Sequence, residues 1–366
     1  MRGFGKRIRI LLMIPIIFDK SIPVSYRQYL IVLILTLLAT APGNLHAADN
    51  QVDFSYNLSL GTFSHGSQSP GPSIRLSMPP LIPRRIQPGA WVLGQSFTWS
   101  NTWARDNRYT HRDNFLLDYE SLHSNTTLSY GISRRMMVGF AYERRDFFGG
   151  AMDGLLEKFH ELFGLKQDER DRHPRDETHL VVYDENREVV SDLSDFNQFD
   201  NSSLHLMGSY ILHPGTRCFP AIGISGLLSY GMNTPFKSNG PPLAAGIGIG
   251  LSKRWRTKWY SYHTLNYVYY NNVEVNGLKL KHDNWSTSLA VAWYPRPSIS
   301  IIAQYLITEG AVDKIKSFED PSHEVSLGIK WRFSQSDTLE CAFIENIIDY
   351  DNSPDFGIHV AYSHLI

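Results

Sequence analysis

The sequence predicts an all-β protein: a transmembrane, antiparallel, up-and-down β-barrel of about twelve strands, with one short amphipathic helix in a long extracellular loop. Three observations predict it. Segments of about ten residues alternate apolar with small or polar side chains, as in WVLGQSFTWSNTW, NWSTSLAVAWY and HEVSLGIKWRF, which is the period of a strand with two unlike faces. Their connections alternate between short turns and longer loops, the asymmetry of outer-membrane barrels. No long apolar run occurs after residue 48, so crossing a bilayer falls to strands, which need only about 9 to 11 tilted residues each.

The N-terminus is expected to be an export signal. Arg27 precedes the uncharged run YLIVLILTLLATA, then helix breakers and Leu45-His46-Ala47, so cleavage is expected after Ala47. A retained anchor is the alternative, although the run is short of the roughly 20 residues a membrane helix needs. A second apolar stretch, Ile8 to Phe18, makes this leader (1–47) long. Losing it removes six Lys/Arg and one acid from totals of 35 and 36, leaving a net charge of −6. That balance excludes the basic footprint of a nucleic-acid binder. Cys218 and Cys341 are the only cysteines, too few and too far apart for a disulfide framework.

Residues 48–88, with SQSPGPSIRLSMPPLIPRRIQPG, form a Pro-rich lead-in that cannot be a central strand. Two courses are open to it, a periplasmic one and one inside the lumen. The barrel is expected over 89–366. Strands are expected near 91–104, 114–131, 135–146, 203–213, 219–231, 243–254, 257–271, 284–294, 298–308, 323–333, 337–346 and 355–366. SRR, HPGTRC, KRWR, PRP and SQSD are the short links. Trp255, Trp259, Trp293, Trp331 and Phe333 gather beside them, as in an aromatic girdle at the inner interface. A soluble periplasmic sandwich or lipocalin-like barrel would instead turn the apolar faces inward.

The longest loop, 147–202, holds DGLLEKFHELFGLKQDERDRHP. Leu155, Leu156, Phe159, Leu162 and Phe163 recur at helical spacing, with Asp153 as N-cap and Gly164 as stop. Such a short helix does not persist alone in water, so its apolar face is expected to dock as a lid or plug over residues 154–163. VVYDENREVV (181–190) is expected to be a hairpin turning near Glu185-Asn186. Ile358, Val360, Tyr362 and Ile366 lie on one face of the last segment, resembling the terminal strand that barrel-assembly machinery recognises, with Ile366 where such strands commonly end in Phe.

The loop motif, the lead-in PLIPRRIQPGAWVL followed by SFTWSNTW, and the ending SPDFGIHVAYSHLI together resemble a Gram-negative outer-membrane family classified as a domain of unknown function. The similarity spans roughly residues 75 to 366. It implies an outer-membrane barrel without an assigned reaction, and it carries over no catalytic residue.

If the apolar faces meet lipid, Glu143, Arg145, Lys330, Arg332, Glu340, His359, His123 and Asn125 line the lumen. They are either a salt-bridge lattice bracing the wall or a polar path for a solute. Other inward positions are small, among them Gly223, Ser225, Gly246, Gly248 and Gly250, and small faces leave space. Twelve strands lie between the eight that side chains fill and the sixteen that leave a channel, so the cavity is expected to be modest.

Enzymatic signals are weak. Ser129, His123 and Asn125 share a strand face, but no G-x-S-x-G elbow, H-E-x-x-H or cysteine pair is present. Asp168, Glu169, Asp171 and His173 lack the spacing of a calcium loop. No catalytic residue, metal or cofactor is expected. The expected partners are outer-membrane lipid and lipopolysaccharide, the assembly machinery, and a small solute the sequence does not identify. The function expected is a narrow pore or transport protein for small polar solutes or amphiphiles, occluded by the second extracellular loop. A lipid- or lipopolysaccharide-modifying enzyme and a structural or surface-interaction barrel are the alternatives.

Overall fold

The computed structural model describes residues 60–84, 86–105, 115–149, 152, 154, 178–183, 189–192, 201–233, 242–271, 273–275, 278–312, 316–346 and 352–366. The leader (1–47) and the helix residues Leu155, Leu156, Phe159, Leu162 and Phe163 lie outside them.

Twelve antiparallel strands make the barrel. They are β1 (Trp91–Arg105), β2 (Phe115–Gly131), β3 (Met136–Phe148), β6 (Asn201–His213), β7 (Ala221–Asn233), β8 (Leu243–Arg256), β9 (Trp259–Tyr270), β12 (Asp283–Arg296), β13 (Ile299–Thr308), β14 (Ser322–Arg332), β15 (Asp337–Asn346) and β16 (Phe356–Leu365). Each pairs with the next, and β16 returns to β1 from Val92↔Leu365 to Asn101↔Phe356. Closure leaves no open edge. All twelve expected strands are present, with ends within a few residues of the expected ones.

Two small hairpins decorate the longer loops. β4 (His179–Tyr183) and β5 (Val189–Asp192) pair with each other, and β4 also pairs with the start of β2. These strands fall on the expected 181–190 hairpin, whose turn lies outside the described residues. β10 (Glu274–Val275) pairs with β11 (Leu278–Lys279).

Period-two alternation sorts the wall into an outward apolar face and an inward small or polar one. On β8 Ile247 is 59% exposed, while Gly248 and Ser252 beside it are buried. Leu228, Leu327 and Phe343 project outward in the same way at 57 to 59%. A belt of that kind has no place in water, and it rules out the soluble arrangement with apolar faces turned inward. Trp255, Trp259, Trp293, Trp331 and Phe333 are all exposed at the end that carries the short turns. Trp259 stacks on Trp293 at 6.4 Å, and Phe333 on Tyr362 at 6.5 Å.

The lead-in runs inside the barrel. Residues 60–69 climb along the wall of β12 to β16, α1 (Pro70–Ser73) turns the chain at the end bearing the long loops, and residues 74–84 descend along β6 to β9. Pro at the start of α1 fits a turn that needs no donor there, and Ser73 N–H closes it onto the Ser69 carbonyl at 2.8 Å. Gly71 lies so close to Ala311 that a Cβ would stand 2.6 Å from the Ala311 methyl. At the other end Gln87 to Ala90 form a tight turn with Gly89 at φ +84°, a conformation that favours glycine. The chain then enters β1.

Above the tip of the lead-in, Ile74 joins Phe115, Phe147, Leu180, Val312 and Phe318 in an apolar cluster. Phe318 belongs to α2 (Lys316–Glu319). The loops therefore pack over the same mouth that α1 reaches.

Candidate functional site

The site is the contact between the lead-in and the inward wall. Three carboxylates organise it, Glu340 and Glu324 buried and Glu143 largely so. Burying a carboxylate is costly unless hydrogen bonds or cations compensate it, so their partners show what the fold holds together.

Glu340 on β15 is the first. Lys330 Nζ lies 2.7 Å from its Oε2, and His359 Nε2 lies 3.0 Å from its Oε1. Ser64 of the lead-in donates its backbone N–H at 2.6 Å and its hydroxyl at 3.1 Å to Oε1. Lys330 also donates to the carbonyls of Leu60 and Thr62. His359, fully buried, meets the Thr98 hydroxyl through Nδ1 at 2.8 Å. Ser64 and Glu340 both face the same ring nitrogen, Nε2. The imidazole therefore cannot link them as a hydrolase histidine links nucleophile and acid, each on its own nitrogen.

Glu143 on β3 is the second. His123 Nε2 is 3.1 Å away, Arg145 Nε 3.1 Å and His205 Nε2 3.2 Å. Arg145 passes the contact on to the lead-in through the carbonyl of Ser73, and Asn201 donates to the next carbonyl, Ile74, at 3.1 Å.

Glu324 on β14 is the third, and hydrogen bonds alone hold it among its described contacts. It accepts from the Ser67 hydroxyl, from Gln68 N–H at 3.0 Å and from the Ser69 hydroxyl at 3.0 Å.

Between these anchors the limb packs closely. Phe63 is fully buried among Tyr262, Ala290, Ala292, Tyr294, Ile302 and Ala342, and its N–H donates to Gln304 at 3.1 Å. The His65 ring bridges the Gly66 carbonyl and the Ser326 hydroxyl, both at 3.1 Å. Burial and the neighbouring His359 hold its pKa down to about 3, so this imidazole is neutral in the docked state.

The descending limb uses the small-residue wall. A Cβ on Gly250 would come within 2.9 Å of the Ile82 Cα, and one on Gly223 within 3.0 Å of Pro83. Met78 lies against Gly246 and packs with Leu227, Val268 and Tyr270. Tyr270 donates to the Leu76 carbonyl at 2.6 Å and lies under the Arg75 guanidinium at 3.9 Å. The space left by the glycines is filled by the chain itself. The two limbs also bond each other, Thr62 hydroxyl to Pro80 carbonyl at 2.7 Å and Ser67 N–H to the Ser77 hydroxyl at 2.9 Å.

The structure thus brings Lys330, Glu340 and His359 into one cluster and His123, Glu143 and Arg145 into another. Asn125 faces inward opposite Glu143 in the β2–β3 ladder, and Arg332 is exposed at the mouth with the short turns. Ser129 is inward and buried on β2. Sequence reasoning missed Glu324, His205 and His65. Strand parity places Glu324 on the face of Lys330 and His205 on the inward face of β6; nothing local marks His65. Among the described residues no cluster of His, Cys, Asp and Glu has the geometry of a metal site.

The family described as "Protein of unknown function (DUF3187)" matches residues 37–366. No curated protein matches the chain. Among solved structures, the COG4313 outer membrane channel from Pseudomonas putida F1 is similar at 12% identity and a TM-score of 0.47, covering 77% of this chain and 97% of that one. The toluene transporter TodX of Pseudomonas putida gives 10% and 0.35, covering 85% and 99%. The translocator domain of autotransporter NalP from Neisseria meningitidis gives 7% and 0.40, covering 76% and 89%. At these scores the likenesses bear on neither substrate nor mechanism.

Proposed function

This chain belongs to the DUF3187 family, and from that premise, which brings no reaction with it, we propose that the protein is an outer-membrane channel held shut by its own N-terminal lead-in. The outward apolar belt and the alternation of short turns with long loops support the membrane and its orientation, with the short turns and the lead-in's entry on the periplasmic side.

The observation that carries the reading is how the lead-in is held. Ser64, Thr62, Ser67, Gln68, Ser69, Ser73 and Ile74 meet the wall through hydrogen bonds to Glu340, Lys330, Glu324, Arg145 and Asn201, with no covalent link and no strand pairing among the described residues. Bonds to the charged partners contribute about 1.5 to 3 kcal/mol each and the Asn201 bond about 1 kcal/mol, and water can take the place of every one of them. The wall ladder, by contrast, closes on itself without the lead-in. A segment held by exchangeable bonds inside a self-sufficient barrel is suited to leave it. With the lead-in displaced, Glu143, Arg145, Lys330 and Glu340 face an aqueous path that also carries glycines, serines and an aromatic and aliphatic stretch with Tyr262, Tyr294 and Tyr270, which suits small polar solutes or amphiphiles.

The plug we assign is therefore the lead-in; the helix of the second long loop lies outside the described residues. Met152, at the start of that loop, packs beside Trp99, Phe356 and Ile358, outward-facing residues of β1 and β16, with its N–H on Glu120.

The filled lumen also favours a second reading, a structural barrel whose plug never leaves. Planar-bilayer conductance separates the two. The full chain is expected to show small or rare openings, a variant lacking residues 60–84 a steady conductance, and a variant lacking 152–175 no gain. No conductance from any folded form rejects the channel.

A further inference from the structure

We propose, on the outer-membrane reading above, that a groove on the outward wall binds the phosphate of one anionic phospholipid from the periplasmic leaflet. The groove encloses about 340 Å³ and is lined by Trp255, Arg256, Trp259, Tyr260, Ser261 and Val291. It lies where the β8–β9 hairpin meets β12, at the end with the short turns.

Its shape follows from the local fold. The β8–β9 register shifts between Arg254 and Arg256, and such a bulge re-aims side chains. Arg256 comes to stand across the ladder from Trp259. The Trp255 indole donates to the Ser261 hydroxyl at 2.8 Å, which fixes one flank. Trp259, stacked on Trp293, forms the other. Val291, 43% exposed, is the floor.

The chemistry of the lining selects the occupant. An apolar slot between two tryptophans suits an acyl chain and the glycerol region above it, the depth at which tryptophan sits in bilayers. Arg256 at the lip, with exposed Lys258 two residues on, offers cationic donors to a phosphate. Neighbouring cations brace the hairpin instead: Arg254 donates to the carbonyls of Arg256 and Thr257, and Lys253 to those of Thr216 and Arg217. Free phosphate would need donors on several sides, and this groove has them on one. A zwitterionic headgroup would need a carboxylate for its ammonium, and the 253–258 turn has none. The field agrees. Arg134, Arg135, Arg217, Arg256, Lys258 and Arg296 sit on the short turns, and Asp337 is the acid among those turns. Such a rim attracts anionic lipid.

The test uses the full-length protein, stripped of lipid in detergent and titrated with phosphatidylglycerol, with phosphatidylcholine, or with phosphatidylglycerol plus millimolar inorganic phosphate. Bound lipid is counted by native mass spectrometry. One phosphatidylglycerol is expected to be held at least about fivefold more tightly than phosphatidylcholine, the effect of one well-placed cation, without competition from phosphate. Arg256→Glu should abolish the preference, and Val291→Trp, which fills the floor, should weaken binding of both lipids. Equal retention of the two lipids, unchanged binding in both variants, or displacement by phosphate overturns the site. Insertion into liposomes, followed by the mobility shift between heated and unheated protein, is scored separately. A chain that inserts but shows no lipid preference refutes the groove alone, and one that never inserts refutes the membrane reading.

Discussion

Lys330 and Glu340 stand opposite each other in the β14–β15 ladder, 2.7 Å apart inside the lumen, and both also hold the lead-in. Lys330 donates to the carbonyls of Leu60 and Thr62, and Glu340 accepts from Ser64. The pair is thus part of the wall and part of the latch. Lys330→Met leaves a buried carboxylate without its nearest cation, a change that costs about 3 to 5 kcal/mol. Much of that strain is relieved if the lead-in leaves and water enters. Faster amide exchange at residues 60–64 and more frequent channel openings are expected. Glu340→Gln in the Lys330→Met background should restore part of the loss, a coupling of about 1 to 3 kcal/mol in a double-mutant cycle.

Acid should favour release of the lead-in through His65. Docked, its pKa is about 3; in water it returns to about 6.5. The docked state therefore binds fewer protons between those values and loses stability as pH falls through 6.5, by up to about 1.4 kcal/mol per pH unit. A step from pH 6.5 to 5 costs about 2 kcal/mol on that slope. Ser326 and the titratable His359, Glu340 and His123 surround the ring, so the comparison that isolates it is wild type against His65→Gln. Openings counted across this range should rise with acid in the wild type and rise less steeply in the variant.

Gly250→Val should loosen the plug while suiting the strand. Valine favours β structure, but its Cβ would meet the Leu81 carbonyl and the Ile82 Cα, and overpacking of that kind costs about 1 to 3 kcal/mol. Limited proteolysis is expected to cut the lead-in near residues 79–84 sooner than in wild type, with the heat-modifiable mobility of the barrel unchanged.

The outward belt of β8 and the lumen mouth at the end of β14 should respond unequally to a change of charge. Ile247→Arg places a cation in the middle of the outward belt, at a cost of about 2 to 4 kcal/mol to folding in lipid. Arg332→Ser, at the water-exposed mouth, should cost less than about 0.5 kcal/mol. Urea-unfolding midpoints in liposomes check both, and equal effects would contradict the assignment of faces.

The sequence by itself determined the wall. Strand alternation is local, a matter of residues two apart, and short turns announce themselves through residues such as Pro214-Gly215 and Pro295 to Pro297. Twelve strands, their faces and the ends that carry tryptophan were therefore legible. The contents of the lumen were not. Residues 60–84 have no period to read, being Pro-rich and bonded largely to side chains far along the chain; Leu60 donates to Tyr294, 234 residues away, and Ser64 meets His359, 295 away. The β14–β15–β16 ladder sets Glu324, Glu340 and His359 on one wall, and closure of β16 onto β1 encloses the lead-in backbone beside them. The glycines of β7 and β8 showed that space existed, but a missing side chain does not name its occupant. The tertiary structure decided that this occupant is the chain's own lead-in, because buried carboxylates and cations had to find partners and the nearest polar backbone was there.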